Sequence, residues 1–185
     1  MNKTKHLLAV LALAIAAAPA AAQNKPAPVK KTIYFGGSAG RSVYSETCEV
    51  QAITPCDDTD LGWRAFAGYE FNRRVAIEAG FADLGAAEAA GTEIRSVLAS
   101  DISGLLHFPV LGNGTLFGRV GLFRARTKVP GAVEVNAAWT YGAGVSYNLG
   151  LIGFRVEWQT WNNVGGGGTG EDNANLFSVG GMLRF

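Results

Sequence analysis

The stretch LFSVGGMLRF, residues 176–185, sets an apolar or small side chain at every second position. Phe177, Val179, Gly181, Leu183 and Phe185 fall on one side of an extended strand. Ser178, Gly180, Met182 and Arg184 fall on the other, because successive side chains in a strand point to opposite faces. The period of two and the paired glycines exclude a helix. A soluble sheet shows the same alternation. The rest of the chain and its destination decide between a soluble and a membrane-spanning reading.

The other end of the sequence speaks to destination. Lys3 and Lys5 precede an apolar run from Leu7 to Ala17, and Pro19-Ala20-Ala21-Ala22 precedes Gln23. A basic start, a short apolar run and an A-x-A site describe a secretory signal peptide over residues 1–22, with cleavage expected between Ala22 and Gln23. The run is too short and too alanine-rich for a spanning helix of about 20 residues. Residues 23–31 (QNKPAPVKK) read as a short periplasmic leader, and residues 32–185 as one domain. Losing Lys3 and Lys5 from 16 basic residues leaves 14 against 15 acidic ones, a balance that gives no electrostatic case for nucleic acid.

Period-2 alternation recurs in eight segments: Thr32–Tyr44, Leu61–Phe71, Arg74–Leu84, Glu93–His107, Thr115–Arg126, Val135–Asn148, Ile152–Trp161 and the closing stretch. The sixth is the clearest, with Ala137, Trp139, Tyr141, Ala143, Val145 and Tyr147 on one face. The predicted connections alternate in length. Ser45–Asp60 and Asn162–Asn173 are long, and Gly85–Thr92 and Thr127–Glu134 are of medium length. Asn72-Arg73, Phe108–Gly114 and the region Leu149–Leu151 are short. Short turns on one side and longer loops on the other are the layout of an outer-membrane barrel with both chain ends in the periplasm.

The charges point the same way. Each charged mid-strand residue opposes a wide apolar face, whereas a soluble barrel keeps its apolar face inside. The expected interior set is Arg64, Glu70, Glu78, Arg95, Asp101, Arg119, Arg155, Glu157 and Arg184. The expected lipid-facing aromatics are Trp63, Tyr69, Trp139, Tyr141, Tyr147, Phe154 and Trp158, those near strand ends suiting the interfacial girdles. The fold predicted is an all-β, eight-stranded antiparallel transmembrane up-and-down β-barrel, whose closure satisfies every backbone polar group in hydrocarbon.

Cys48 and Cys56 are the only cysteines. In an exported chain a lone close pair reads as a disulfide closing a small loop. Two thiols with no histidine nearby do not complete a zinc shell.

The run CDDTDLGWRAFAGYEFNRRVAIEAGFADLG (Cys56–Gly85), like the strand ending on Phe185, resembles the membrane domain of OmpA-like and opacity-type outer-membrane proteins, a porin family. The resemblance covers Thr32–Phe185 through diffuse patterns rather than a catalytic signature. It implies that Phe177, Val179, Leu183 and Phe185 form the signal read by the barrel-assembly machinery. Members of that family can continue into a periplasmic domain that grips peptidoglycan. This sequence is read as the barrel alone, so no cell-wall anchoring is carried over.

Eight strands make a barrel just wide enough for its side chains to fill. Interior charges of both signs should therefore pair into a plug rather than line an open channel, because lone charges there are costly. No enzyme is expected. The mature chain's one histidine, His107, has Ser103 four residues away along a strand, beyond the reach a nucleophile–base pair needs. GGGGTG (Gly165–Gly170) lacks the Lys-Ser/Thr of a phosphate loop, and the acidic run Asp57-Asp58-Thr59-Asp60, lacking EF-type spacing, reads as a solvated loop base. No cofactor or metal is expected. The partners implied are outer-membrane lipids and the assembly machinery, with the chain a monomer. Two functions stay open: a structural barrel serving envelope integrity, and a recognition protein whose loops, above all Cys48–Cys56, hold a surface ligand. A small low-conductance porin is the variant of the first.

Overall fold

The computed structural model describes residues 32–45, 56–89, 92–110, 112–129, 132–165 and 172–185. Its β-strands are β1 (Thr32–Tyr44), β2 (Cys56–Asp57), β3 (Thr59–Glu70), β4 (Val75–Ala89), β5 (Thr92–Pro109), β6 (Gly114–Val129), β7 (Ala132–Leu149), β8 (Ile152–Trp161) and β9 (Ala174–Arg184). β2 precedes β3 by the single residue Asp58 and pairs with the same neighbour, β4, so the two form one stave. Each stave is antiparallel to the next, and β1 pairs with β9 from Tyr34↔Arg184 to Tyr44↔Ala174. With β4 also paired to β5, the sheet closes into an eight-stave barrel. A closed sheet has no open edge and leaves no ladder group to the hydrocarbon.

The turns on the side of the chain ends are tight. At Phe71–Arg74 the Asn72 side-chain oxygen accepts from the N–H groups of Arg74 (2.8 Å) and Val75 (2.9 Å), a local bond that lets asparagine initiate a turn. The β7–β8 turn places Gly150 at φ 67°, where a Cβ would be strained.

Two of the predicted connections are corrected. The segments Gly85–Thr92 and Thr127–Glu134, read as medium loops, are largely strand, because β4 runs to Ala89 and β6 to Val129. The glycine and small polar residues that suggested loops sit in a ladder whose register shifts between Asp83 and Ala86, with Gly85 at φ 71°. A bulge absorbs the extra residue and the strand continues. The acidic run is also corrected. Asp60 is not a loop base but part of β3, and its carboxylate accepts from the N–H groups of Leu61 and Ala86, both at 2.7 Å. Tyr44 on β1 donates its hydroxyl to the Gly85 carbonyl at 2.9 Å. The bulge is thus tied to both preceding staves.

β4, β5, β6 and β7 run 15, 18, 16 and 18 residues, against 10 for β8 and 11 for β9. About 9–11 tilted residues suffice to span the hydrocarbon. The β4–β7 side of the barrel therefore stands out beyond the membrane at the end opposite the chain termini.

Closed barrels resist detergent until heated. The refolded barrel is expected to migrate differently on a detergent gel before and after boiling. Identical migration would count against closure of β1 onto β9.

Candidate functional site

Among the described residues, chemistry-bearing side chains converge on the inward face of the barrel. Strand parity sends Arg64 of β3, Glu78 of β4, Asp101 of β5, Arg119 of β6, and Arg155 and Glu157 of β8 to the same middle layer. None of the six is more than 6% exposed. Room for the long side chains comes from small neighbours. A Cβ on Gly80 would collide with the Arg64 guanidinium, and one on Gly68 with the Tyr34 ring.

The six charges pair with one another across the lumen. Arg64 reaches Glu78 (2.8 Å) and Asp101 (3.0 Å). Arg119 reaches Asp101 (2.7 Å), Glu157 (2.8 Å) and Glu78 (3.1 Å). Arg155 reaches Glu78 (2.9 Å) and Glu157 (3.4 Å). Glu78 is the hub. One of its oxygens accepts from Arg64 and Arg119, the other from Arg155 and from the Tyr34 hydroxyl at 2.9 Å. Three guanidiniums against three carboxylates leave the layer neutral. Excellent geometry and a zero sum are what a buried ionic cluster requires, since each ion gives up several kcal/mol of hydration on burial.

Rings close over this layer. The Arg155 guanidinium lies 4.5 Å from the Phe66 centroid and 4.7 Å from that of Phe117, distances at which cation–π attraction operates. Toward the far end from the termini, the lumen is packed with Tyr44, Leu84, Val97, Phe123, Trp161, Val164 and Leu176, with alanines filling between them. Toward the termini it opens into a vestibule of about 660 Å³ lined by Tyr34, Glu70, His107, Arg155 and Arg184 among others. The interior is therefore layered: apolar packing, then the ionic ring, then a wet vestibule.

The remaining sequence-predicted residues are placed as follows. Glu70 and Arg184 do not join the ring but pair with each other at 2.6 Å near the rim. The side chain of Arg95 lies outside the described residues, as do Ala22, Gln23, Cys48 and the side chain of Cys56. Trp63, Trp139, Tyr141, Tyr147 and Phe154 face outward and exposed, while Tyr69 and Trp158 are half-buried on the outer surface. Trp158 packs between Tyr141 (5.8 Å) and Phe177 (6.4 Å). Phe177, Val179, Leu183 and Phe185 are all exposed on the outer face of β9, and Phe185 stacks on Phe35 at 5.2 Å. His107 meets Phe117 edge-on at 6.2 Å. The Ser103 hydroxyl donates to Asp101 (3.2 Å) and accepts from Arg119 (2.9 Å). Tyr34, Phe66 and Phe117 were not singled out in the sequence, and Ser103 was weighed there only as a nucleophile beside His107. The signal for Tyr34 was available, since it shares its face with Gly36, Ser38, Gly40, Ser42 and Tyr44.

A closed eight-stave barrel with an apolar outer surface and its charges inside is an integral membrane barrel of the bacterial outer-membrane class. The family model for the OmpA-like transmembrane domain matches residues 28–185, and the chain belongs to that family. It is 31% identical over 191 residues to outer membrane protein A of Shigella flexneri, across 95% of this chain and 55% of that protein. The chain thus spans about half the length of the curated relatives it matches. Its fold is similar to that of Neisserial surface protein A (TM-score 0.60, 18% identity, 83% of this chain and 97% of that one). It is also similar to that of Ail, the attachment invasion locus protein of Yersinia pestis (TM-score 0.53, 16% identity, 84% and 98%). The family places the chain in the outer membrane.

Proposed function

We propose that the barrel works as a sealed wall element that contributes to envelope integrity, rather than as a pore. The observation that carries this reading is the layered lumen. A neutral ring of paired charges blocks the bore, and apolar side chains pack above it. In this reading the protein is a monomer held by outer-membrane lipids, exported by a signal peptide removed after Ala22 and delivered through the assembly machinery by Phe177, Val179, Leu183 and Phe185. Planar bilayers holding the refolded mature chain, with insertion checked separately, are expected to stay electrically silent. Steady discrete openings would overturn the reading and make the protein a small porin.

A second reading, surface recognition, rests on the long β4–β7 staves, which carry their hairpins beyond the membrane and give loops a rigid mount. The attachment named for the Yersinia pestis neighbour is a reason to test it. The loop between β1 and β2 would be framed by a Cys48–Cys56 disulfide, in which case the unreduced mature chain takes up no thiol label and gains two labels after reduction. Removing residues 46–55 would abolish cell binding if that loop carries it. Unchanged binding sinks the loop as the contact.

A further inference from the structure

The outer wall of β6 carries charge where the rest of that wall carries none. On β7, Tyr147 and Trp139 bracket residues 139–147, and β6 runs beside them from Gly114 to Leu122. That length of tilted strand crosses the hydrocarbon, and its outward positions are all apolar or small. Arg124, paired with Ala137, is the next outward position of β6 past the Leu122–Trp139 row. Arg126 and Lys128 follow at every second residue, so all three share the outward face, and all three are exposed. At about 3.3 Å per residue the column is about 13 Å long.

These cations are free. No side-chain hydrogen bond or ion pair engages them among the described residues. Asp83, in the row of Arg126 with Leu98 between them, accepts instead from the Gly85 N–H at 3.0 Å. The neighbours of the column are apolar or small: Leu98 and Val135 flank Arg126, and Ser100 and Ala137 flank Arg124. Val133 and Val135 are each 53% exposed, although they stand above the girdle. The flank is thus cationic and apolar together, directly above the hydrocarbon. Arg41, also outward and exposed, lies four staves away in either direction and donates to Thr59 at 3.3 Å.

We propose that this flank of β5–β7 docks a lipid of the leaflet facing away from the chain termini, one whose headgroup carries more than one phosphate. Basic side chains just outside the hydrocarbon attract anionic headgroups, and guanidiniums match phosphate oxygens. A single phosphate is too small to engage a column of this length. The acyl chains lie below, on Leu122, Val120 and Trp139, and Val133 and Val135 are covered by the headgroup. The proposal deepens the lipid contact of the reading above and rests on its membrane placement. It does not depend on the sealed lumen, so a conducting barrel leaves it standing.

The test counts lipids retained by the refolded barrel in native mass spectrometry. Diphosphoryl lipid A is the probe, monophosphoryl lipid A tests the second phosphate, and phosphatidylcholine, with no net charge, is the control. The diphosphoryl form is expected to bind about tenfold more tightly than phosphatidylcholine, with the monophosphoryl form between them. Arg124→Gln/Arg126→Gln/Lys128→Gln should weaken it by about tenfold or more, because each such cation contributes about fivefold. Arg41→Gln should leave it unchanged. The gel shift on boiling verifies that each variant is folded. Should the triple variant fail to fold, Ala137→Glu, which sets a carboxylate beside Arg124, should weaken binding in its place. Equal retention of the two lipid A forms, equal retention of phosphatidylcholine, or an equal loss in Arg41→Gln overturns the proposal. So does displacement by inorganic phosphate at the lipid's own concentration, or a variant of the column that binds as the native barrel does.

Discussion

Replacing Glu78 with alanine is expected to destabilise the barrel by about 3–5 kcal/mol, the usual cost of removing one partner from a buried ionic cluster. The loss follows from the geometry. Glu78 receives Arg64, Arg119, Arg155 and Tyr34, so its removal leaves three buried guanidiniums facing two carboxylates. Urea unfolding in bilayers, read by gel mobility, measures the effect. A double Glu78→Met/Arg119→Met variant should recover part of it, because Arg64–Asp101 and Arg155–Glu157 remain as two matched pairs. Glu70→Ala makes the contrast. Its pair with Arg184 is partly exposed, and such pairs contribute about 0–1 kcal/mol. A Glu78→Ala loss no larger than that of Glu70→Ala would show that the ring is not held as drawn.

Trp161→Ala is the second large effect. Trp161 is fully buried in the apolar layer, packed with Tyr44, Leu84, Val97 and Leu176. Truncating a buried aromatic costs about 3–5 kcal/mol through lost burial and the cavity left behind. Trp161→Phe should cost far less, because the indole Nε1 has no hydrogen-bond partner there and removing an orphaned donor offsets part of the lost area. The two seals also separate in function. Trp161→Ala alone leaves the ring shut and Glu78→Ala alone leaves the apolar layer shut, so each single variant should remain silent in a planar bilayer. The Glu78→Ala/Trp161→Ala double should conduct. A silent, inserted double variant would mean that the surrounding side chains collapse into both gaps.

Alternation of side chains made the strands and their inward and outward faces legible in the sequence, and the charges among the apolar residues made the inversion legible. Alternation yields a face but not a height. Trp161 has the same parity as Arg155, Glu157 and Gln159, yet it sits in the apolar layer because β8 ends there. Glu70 and Arg184 share the inward parity of the ring but lie too near the rim to join it. Nothing local marks Glu78 as the hub, since its partners come from β1, β3, β6 and β8. The bulge at Gly85 escaped for a related reason. A glycine at positive φ in a bulge and one in a loop look alike in sequence, and only the pairing of Ala86 with Ser96 tells them apart.

The span of the ring bears on how the barrel is assembled. Around the closed sheet β4 and β8 are four staves apart in either direction, so the Glu78–Arg155 pair bridges a full diameter. No hairpin or partial sheet can make that contact. A half-built barrel entering the bilayer keeps the pairs between neighbouring staves, such as Arg64–Glu78 and Arg119–Asp101, but lacks the bridge across the diameter until β9 docks on β1. The Glu78–Arg155 bridge therefore acts as a latch that rewards completed closure. It disfavours open, slipped or edge-joined intermediates that the outer apolar surface alone would tolerate.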